Sequence, residues 1–124
     1  MKKKIAIVED NPDNMLLAEV LLEDLYELNK FENGFDALEG MRMSPPDLVL
    51  LDISLPGMDG IEILKIIRED KTLKHLPVIA LTAHAMVGDR QKFLAIGFDG
   101  YLTKPIVDEE LMYQAIKEQL NKND

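Results

Sequence analysis

Two stretches of this sequence, Ile5-Ala6-Ile7-Val8 and Leu48-Val49-Leu50-Leu51, are apolar at every position, and each runs straight into an acid. A strand with no polar face must be covered on both sides, which is the condition of a parallel sheet sandwiched between helices. Val78-Ile79-Ala80-Leu81, introduced by Pro77, repeats the pattern. Tyr26 to Phe31 reads as a weaker strand, with Tyr26 and Leu28 alternating against polar neighbours, and belongs at a sheet edge. Tyr101-Leu102 is a short fifth strand.

Helical patterns fill the intervals. Asn11-Pro12 reads as an N-cap followed by proline at the first helical position, and the helix continues through Leu16, Leu17, Val20, Leu21 and Leu25. Gly34 to Met43 carries Ala37, Leu38 and Met41 at helical spacing until Pro45-Pro46 forbids continuation. After Pro56-Gly57, a helix from about Gly60 places Ile63, Ile66 and Ile67 on one side, with Asp59 as its N-cap. A fourth helix, about Gly88 to Ile96, is poorly amphipathic and ends at Gly97. The last starts with Asp108, Glu109 and Glu110 at its positive end and is expected to bury Leu111, Met112, Ala115, Ile116 and Leu120. Strictly alternating elements of this kind give an α/β fold with a five-stranded parallel sheet and helices on both faces.

Composition narrows the class. A chain of 124 residues, 47% hydrophobic and 30% charged, suits one domain spanning 1–124. With 23 acidic against 14 basic residues the net charge is −9, which argues against a nucleic-acid surface. Lys2-Lys3-Lys4 is the one basic cluster and reads as a solvated strand entrance. The absence of Cys excludes disulfides, thiolate metal sites and cysteine nucleophiles. No apolar run approaches the roughly 20 residues of a membrane span, and no signal peptide opens the chain. A cytoplasmic location is the expectation.

In such sheets ligands bind beyond the carboxyl ends of the strands. Those ends carry Glu9-Asp10, Asp52, Thr82 and Lys104, from four different strands. Three carboxylates converging in one cleft repel: each pair about 4 Å apart costs about 4 kcal/mol at an effective dielectric of about 20. A cation relieves this, and Mg²⁺ suits it, since it takes oxygen ligands and is usually held by one or two carboxylates plus phosphate. With no Cys and neither His75 nor His84 beside the acids, zinc does not fit. A carboxylate beside Mg²⁺, faced by an amine and a hydroxyl, suits phosphoryl transfer to Asp52 as an aspartyl phosphate.

Val8-Glu9-Asp10-Asn11, Leu50-Leu51-Asp52-Ile53-Ser54-Leu55-Pro56-Gly57-Met58-Asp59-Gly60, Leu81-Thr82-Ala83 and Lys104-Pro105 together resemble, in order and over essentially the whole chain, the signature blocks of response-regulator receiver domains. The resemblance implies a flavodoxin-like sheet in the order 2-1-3-4-5. It implies Asp52 as phosphoacceptor; Asp10, Glu9 (where many members have Asp), Asp52 and the Ser54 carbonyl as the Mg²⁺ set; and Thr82 and Lys104 as partners of the phosphoryl group. Tyr101 matches the family's switch aromatic and Pro105 its cis-proline. It further implies a histidine kinase or histidine phosphotransfer domain as donor, and a downstream protein target met by a monomer or weak dimer. The chain would be a phosphoacceptor switch and not a turnover enzyme. Its end about twenty residues after Lys104 leads us to expect no output domain, as in stand-alone receivers of the chemotaxis and cell-division-control types; the stretch Thr82-Ala83-His84-Ala85-Met86 leans toward the latter. A receiver cut from a hybrid kinase is the alternative.

Other readings fare worse. A flavodoxin-like nucleotide binder needs a phosphate loop where Glu9-Asp10 stand. Calcium binding by the Asp52 loop fails because Ile63 occupies the twelfth position. A phosphoester hydrolase lacks a second Asp two residues after Asp52, where Ser54 stands, and no G-x-S-x-G elbow is present. Taken singly, Asp52 would be a helix-capping loop acid, Thr82 and Ser54 ordinary hydroxyls, and His75 a surface residue. His84 is open between tuning water access and solvation. Met15, Met86 and Val87 are open between core and a docking surface. A module whose phosphorylation is vestigial is the class-level rival.

Overall fold

The computed structural model describes residues 2–83, 86–106 and 108–122. Among them the strands β1 (Lys4–Val8), β2 (Glu27–Phe31), β3 (Leu48–Asp52), β4 (Val78–Thr82) and β5 (Gly100–Thr103) alternate with the helices α1 (Pro12–Leu22), α2 (Gly34–Met43), α3 (Gly60–Glu69), α4 (Asp89–Ile96) and α5 (Glu109–Lys122). The strands form one all-parallel sheet in the order β2-β1-β3-β4-β5. β2 is an edge strand, as its alternating pattern predicts, β5 is the other, and β3 and β4 are buried throughout.

Because side chains alternate across a strand, each apolar run feeds two cores. Ala6, Val8, Val49, Leu51, Val78 and Ala80 pack under α2, α3 and α4, against Met41, Ile63, Ile67 and Phe93 among others. Ile5, Ile7, Leu48, Leu50, Ile79 and Leu81 pack on the other face against Ala18 and Leu22 of α1 and Met112 and Ile116 of α5. Full burial stabilises by about 1.5–3 kcal/mol per large aliphatic side chain, so these doubly covered strands are the main source of cohesion. The C-terminal ends of the central strands, where the acids stand, are thereby set in the least deformable part of the molecule.

Several boundaries differ from the sequence expectation. α1 stops at Leu22, and Leu25 lies in the turn that follows, 51% exposed. Leu16 and Val20 are helical but 57% and 60% exposed, because α1 touches the sheet through Ala18 and Leu22. Leu111, expected in the core, is 56% exposed, and Ala115 is half-buried; α5 turns Met112, Ile116, Gln119 and Leu120 inward instead. Met86 and Val87 are exposed, which removes the core reading for both, whereas Met15 packs at the margin of the α1–α5 core. Asp59 caps α3, its side chain accepting from the Glu62 amide at 2.9 Å. His75 is exposed, and His84 lies outside the described residues.

Candidate functional site

Parallel pairing aligns the strand ends at one rim. Val8 pairs with Leu51, Asp52 with Leu81 and Thr82 with Thr103, so Glu9, Asp52, Thr82 and Lys104 come to one edge from four segments remote in sequence. The ladder continues just past the strands: the Ile53 amide donates to the Leu81 carbonyl (3.1 Å) and the Lys104 amide to the Thr82 carbonyl (2.8 Å). That last bond seats Lys104 directly beside Thr82. The Lys104–Pro105 peptide is cis, as the motif implied.

The side chains converge. Lys104 Nζ donates to Asp52 Oδ2 at 2.9 Å and to Glu9 Oε1 at 3.1 Å. Glu9 and Asp52 are 2% and 1% exposed, whereas Asp10 stands in solvent at the mouth. One carboxylate oxygen from each of Glu9, Asp10 and Asp52 lies within 4.8 Å of the others. Asp52 Oδ1 accepts the Ser54 amide at 2.9 Å, and Glu9 Oε2 the Asn11 amide at 3.1 Å. Thr82 is buried at the end of β4.

One ammonium among three carboxylates leaves an excess of two negative charges. The site shows the strain: burial, then the neighbouring Asp52, pushes the Glu9 carboxyl up to about 7, against the lowering pull of the Asn11 amide and Lys104. Burial by itself would pull Lys104 down, but its bonds to Asp52 and Glu9 outweigh that and raise it. The donor set is all oxygen, which fits a hard cation such as Mg²⁺; among the described residues this is the one grouping of three such ligands.

Tyr101 leaves β5 on the side of α4. Its ring stacks on Phe93 (centroids 5.7 Å apart, planes 24° apart), and Phe93 meets Phe98 edge-on at 5.9 Å. Burial, with Asp89 nearby, raises its phenol. Every site residue named from the sequence and described here therefore lies at this rim or, for Tyr101, on the strand leading to it. Two contributors escaped sequence reasoning. The Asn11 amide fixes Glu9, a role hidden behind that residue's visible capping pattern. Gly60 lets α3 approach so closely that a Cβ there would fall 2.5 Å from both the Asp52 carbonyl oxygen and Ile53 Cα; the Gly60 amide donates to the Ile53 carbonyl at 3.2 Å.

Comparison with known proteins agrees with this geometry. The sequence profile described as "Response regulator receiver domain" matches residues 5–117. The polar-differentiation response regulator DivK of Brucella anthropi is 45% identical over 107 residues, covering 86% of this chain and 87% of DivK. The sensor histidine kinase GacS of Pseudomonas protegens is 41% identical over 118 residues, covering 92% of this chain but only 13% of GacS. The receiver domain of the sensor histidine kinase PA1611 from Pseudomonas aeruginosa, solved with a magnesium ion coordinated in its active site cleft, superposes with a TM-score of 0.87 at 31% identity, covering 98% of this chain and 99% of that one.

Proposed function

This chain belongs to the response regulator receiver domain family, whose members are switches in two-component phosphorelay signalling, and on that premise we propose that Asp52 is its phosphoacceptor. The observation that carries the proposal is Lys104 Nζ bridging Asp52 and Glu9 at 2.9 and 3.1 Å inside a three-carboxylate cluster. Glu9, Asp10, Asp52 and the Ser54 carbonyl would hold Mg²⁺, which when bound supplies positive charge to the phosphoryl oxygens. A carboxylate oxygen of Asp52 attacks phosphorus of a donor phosphohistidine, the P–N bond breaks, and its electron pair returns to the imidazole. Lys104 pairs with the transferred group, and the Thr82 hydroxyl donates to it. The new group carries about −1.5 to −2 charges, and Tyr101, with the face formed by α4 and β5, responds to it.

The donor is a histidine kinase or histidine phosphotransfer domain and the recipient of the signal another protein; the chain is a switch that assists its own phosphorylation and dephosphorylation, without turnover of a substrate. One receiver unit occupies residues 1–124. The 45% identity to DivK over 87% of its length favours a regulator of that type, and the proposed place of work is the cytoplasm. Among the described residues no helix is long and apolar enough to cross a membrane.

Incubation with Mg²⁺ and acetyl phosphate, followed by intact-mass measurement, tests the chemistry. One phosphoryl adduct is expected, absent after chelation and absent in Asp52→Asn. An adduct that persists in Asp52→Asn, or none in the unaltered chain, defeats the proposal.

A further inference from the structure

The opposite end of the sheet holds a second polar cluster that the phosphoryl chemistry does not use. Arg68, on the last turn of α3, has five N–H donors, and each has a partner. Nε and Nη2 donate to the Gly97 carbonyl (3.3 and 2.8 Å), Nη1 to the carbonyls of Lys74 (3.0 Å) and Leu76 (2.6 Å), and Nη2 also to Asp99 Oδ2 (2.8 Å). Asp99 is equally engaged. Its Oδ2 accepts the Val78 amide (2.8 Å), its own amide donates to the Val78 carbonyl (2.8 Å), and its carbonyl accepts from Gln119 Nε2 (3.0 Å). The Arg68 guanidinium and the carboxylate of Asp99 thus join α3, the start of β4, the end of α4 and the start of β5, and the Asp99 backbone carbonyl adds α5.

α4 is held very unevenly between its ends. Its C-terminal carbonyl at Gly97 is gripped by Arg68, and the Gly97 and Phe98 amides close on Phe93. Its N-cap is Gly88, at φ 91°, without a side-chain cap, and the residues before it, Met86 and Val87, are exposed. The Asp89 carboxylate accepts the Met86 amide at 2.9 Å, a bond within the turn that ties it to no other element. Phe93 is the one buried residue of the helix, and on it rests Tyr101 of the strand that delivers Lys104 to the site.

We propose that the Arg68–Asp99 clamp makes Gly97 a fixed pivot, so that phosphorylation swings α4 from its Gly88 end while its C-terminal end stays in place. The inference rests on the phosphoacceptor reading of Asp52. An eight-residue helix is about 12 Å long, so a small rotation about Gly97 is magnified at Gly88, on the side of the molecule where the phosphoryl group sits. The clamp also keeps the register between β4 and β5 unchanged during the swing, because Asp99 bonds to Val78 through both backbone and side chain.

Amide NMR of the full chain, with and without Mg²⁺ and acetyl phosphate, tests the pivot. Shift changes are expected to fall steadily from Asp89 to Gly97 in the unaltered protein, and to reach Gly97–Asp99 in Arg68→Ala, with the rate of adduct formation by intact mass unchanged. Arg68→Lys, which keeps the charge without the planar fork, serves should the alanine variant not fold, and is expected to lose the gradient in part. Changes of equal size along all of α4, or a gradient untouched by either variant, overturn the proposal. Hydrogen exchange without any phosphodonor separates the two readings. The Gly97–Asp99 amides should exchange about tenfold faster in the Arg68 variants, and no acceleration would refute the clamp even where phosphorylation succeeds. A chain that takes no phosphoryl group but shows the acceleration keeps the clamp and loses the switch.

Discussion

The two ends of the sheet each gather charge, the Arg68–Asp99 pair part-exposed and Glu9 with Asp52 buried, and they balance it differently. At the amino-terminal end one Arg meets one Asp, and every donor of the guanidinium has a carbonyl or carboxylate to receive it. At the carboxyl-terminal end one Lys faces Glu9, Asp10 and Asp52, and burial, then the neighbouring Asp52, raises the Glu9 carboxyl to about 7. Both clusters are assembled from segments distant in sequence, and both are well bonded. The balanced cluster completes the fold, whereas the unbalanced one carries the excess negative charge that the proposed cation would offset. Net charge together with burial, more than the number of hydrogen bonds, separates the two clusters.

The comparison breaks most sharply at Arg68. Arg68→Ala leaves the Gly97, Leu76 and Lys74 carbonyls and the Asp99 carboxylate short of a donor, and should cost about 2 kcal/mol in urea unfolding, since water reaches part of the cluster. That loss should be the same with or without Mg²⁺, since the clamp lies at the end of the sheet away from the carboxylate cluster.

Glu9→Gln should act in the opposite direction. The folded carboxyl titrates near 7 against 4.5 for its ordinary value. The unfolded chain therefore releases this proton first, and stability is lost as pH rises from about 4.5 to 7. Neutralising the group should raise stability by about 2 kcal/mol at pH 8 without metal and by little at pH 5. Unfolding curves across pH check the sign. Adding Mg²⁺ should restore the unaltered protein toward the variant, and chelation should undo that gain.

Gly60→Ala joins the two concerns, because its Cβ would strike backbone at Asp52, the proposed phosphoacceptor. It should destabilise by about 1–3 kcal/mol and slow adduct formation by about tenfold through displacement of Asp52. Intact-mass time courses on protein kept below its unfolding temperature separate the two effects. Leu111→Ser should be the mildest, within about 0.5 kcal/mol by thermal unfolding, since Leu111 is exposed.

Much of this was legible in advance where the signal is periodic or chemical. The apolar runs at 5–8, 48–51 and 78–81 can only be doubly covered strands, and Asn11-Pro12, Asp59 and Gly97 mark helix ends by local stereochemistry. The errors fall where the helical pattern offers more apolar residues than the sheet can receive. α5 packs a narrow stripe, so Leu111 is left outside while Gln119 is taken in, its amide satisfied by the Asp99 carbonyl. Hydrophobicity cannot report which of several candidates the crossing helix will present.

The sequence by itself determined the alternating strands and helices, the acids and the lysine at the strand ends, and the need of three carboxylates for a cation. These follow from residue type and spacing alone. Only the tertiary structure decided that Lys104 spans Glu9 and Asp52, that Gly60 must lack a side chain beside Asp52, and that Arg68 and Asp99 bind five elements together. Each depends on the angle and distance at which remote segments pack, and that is set by the filling of the two cores, which no local pattern encodes.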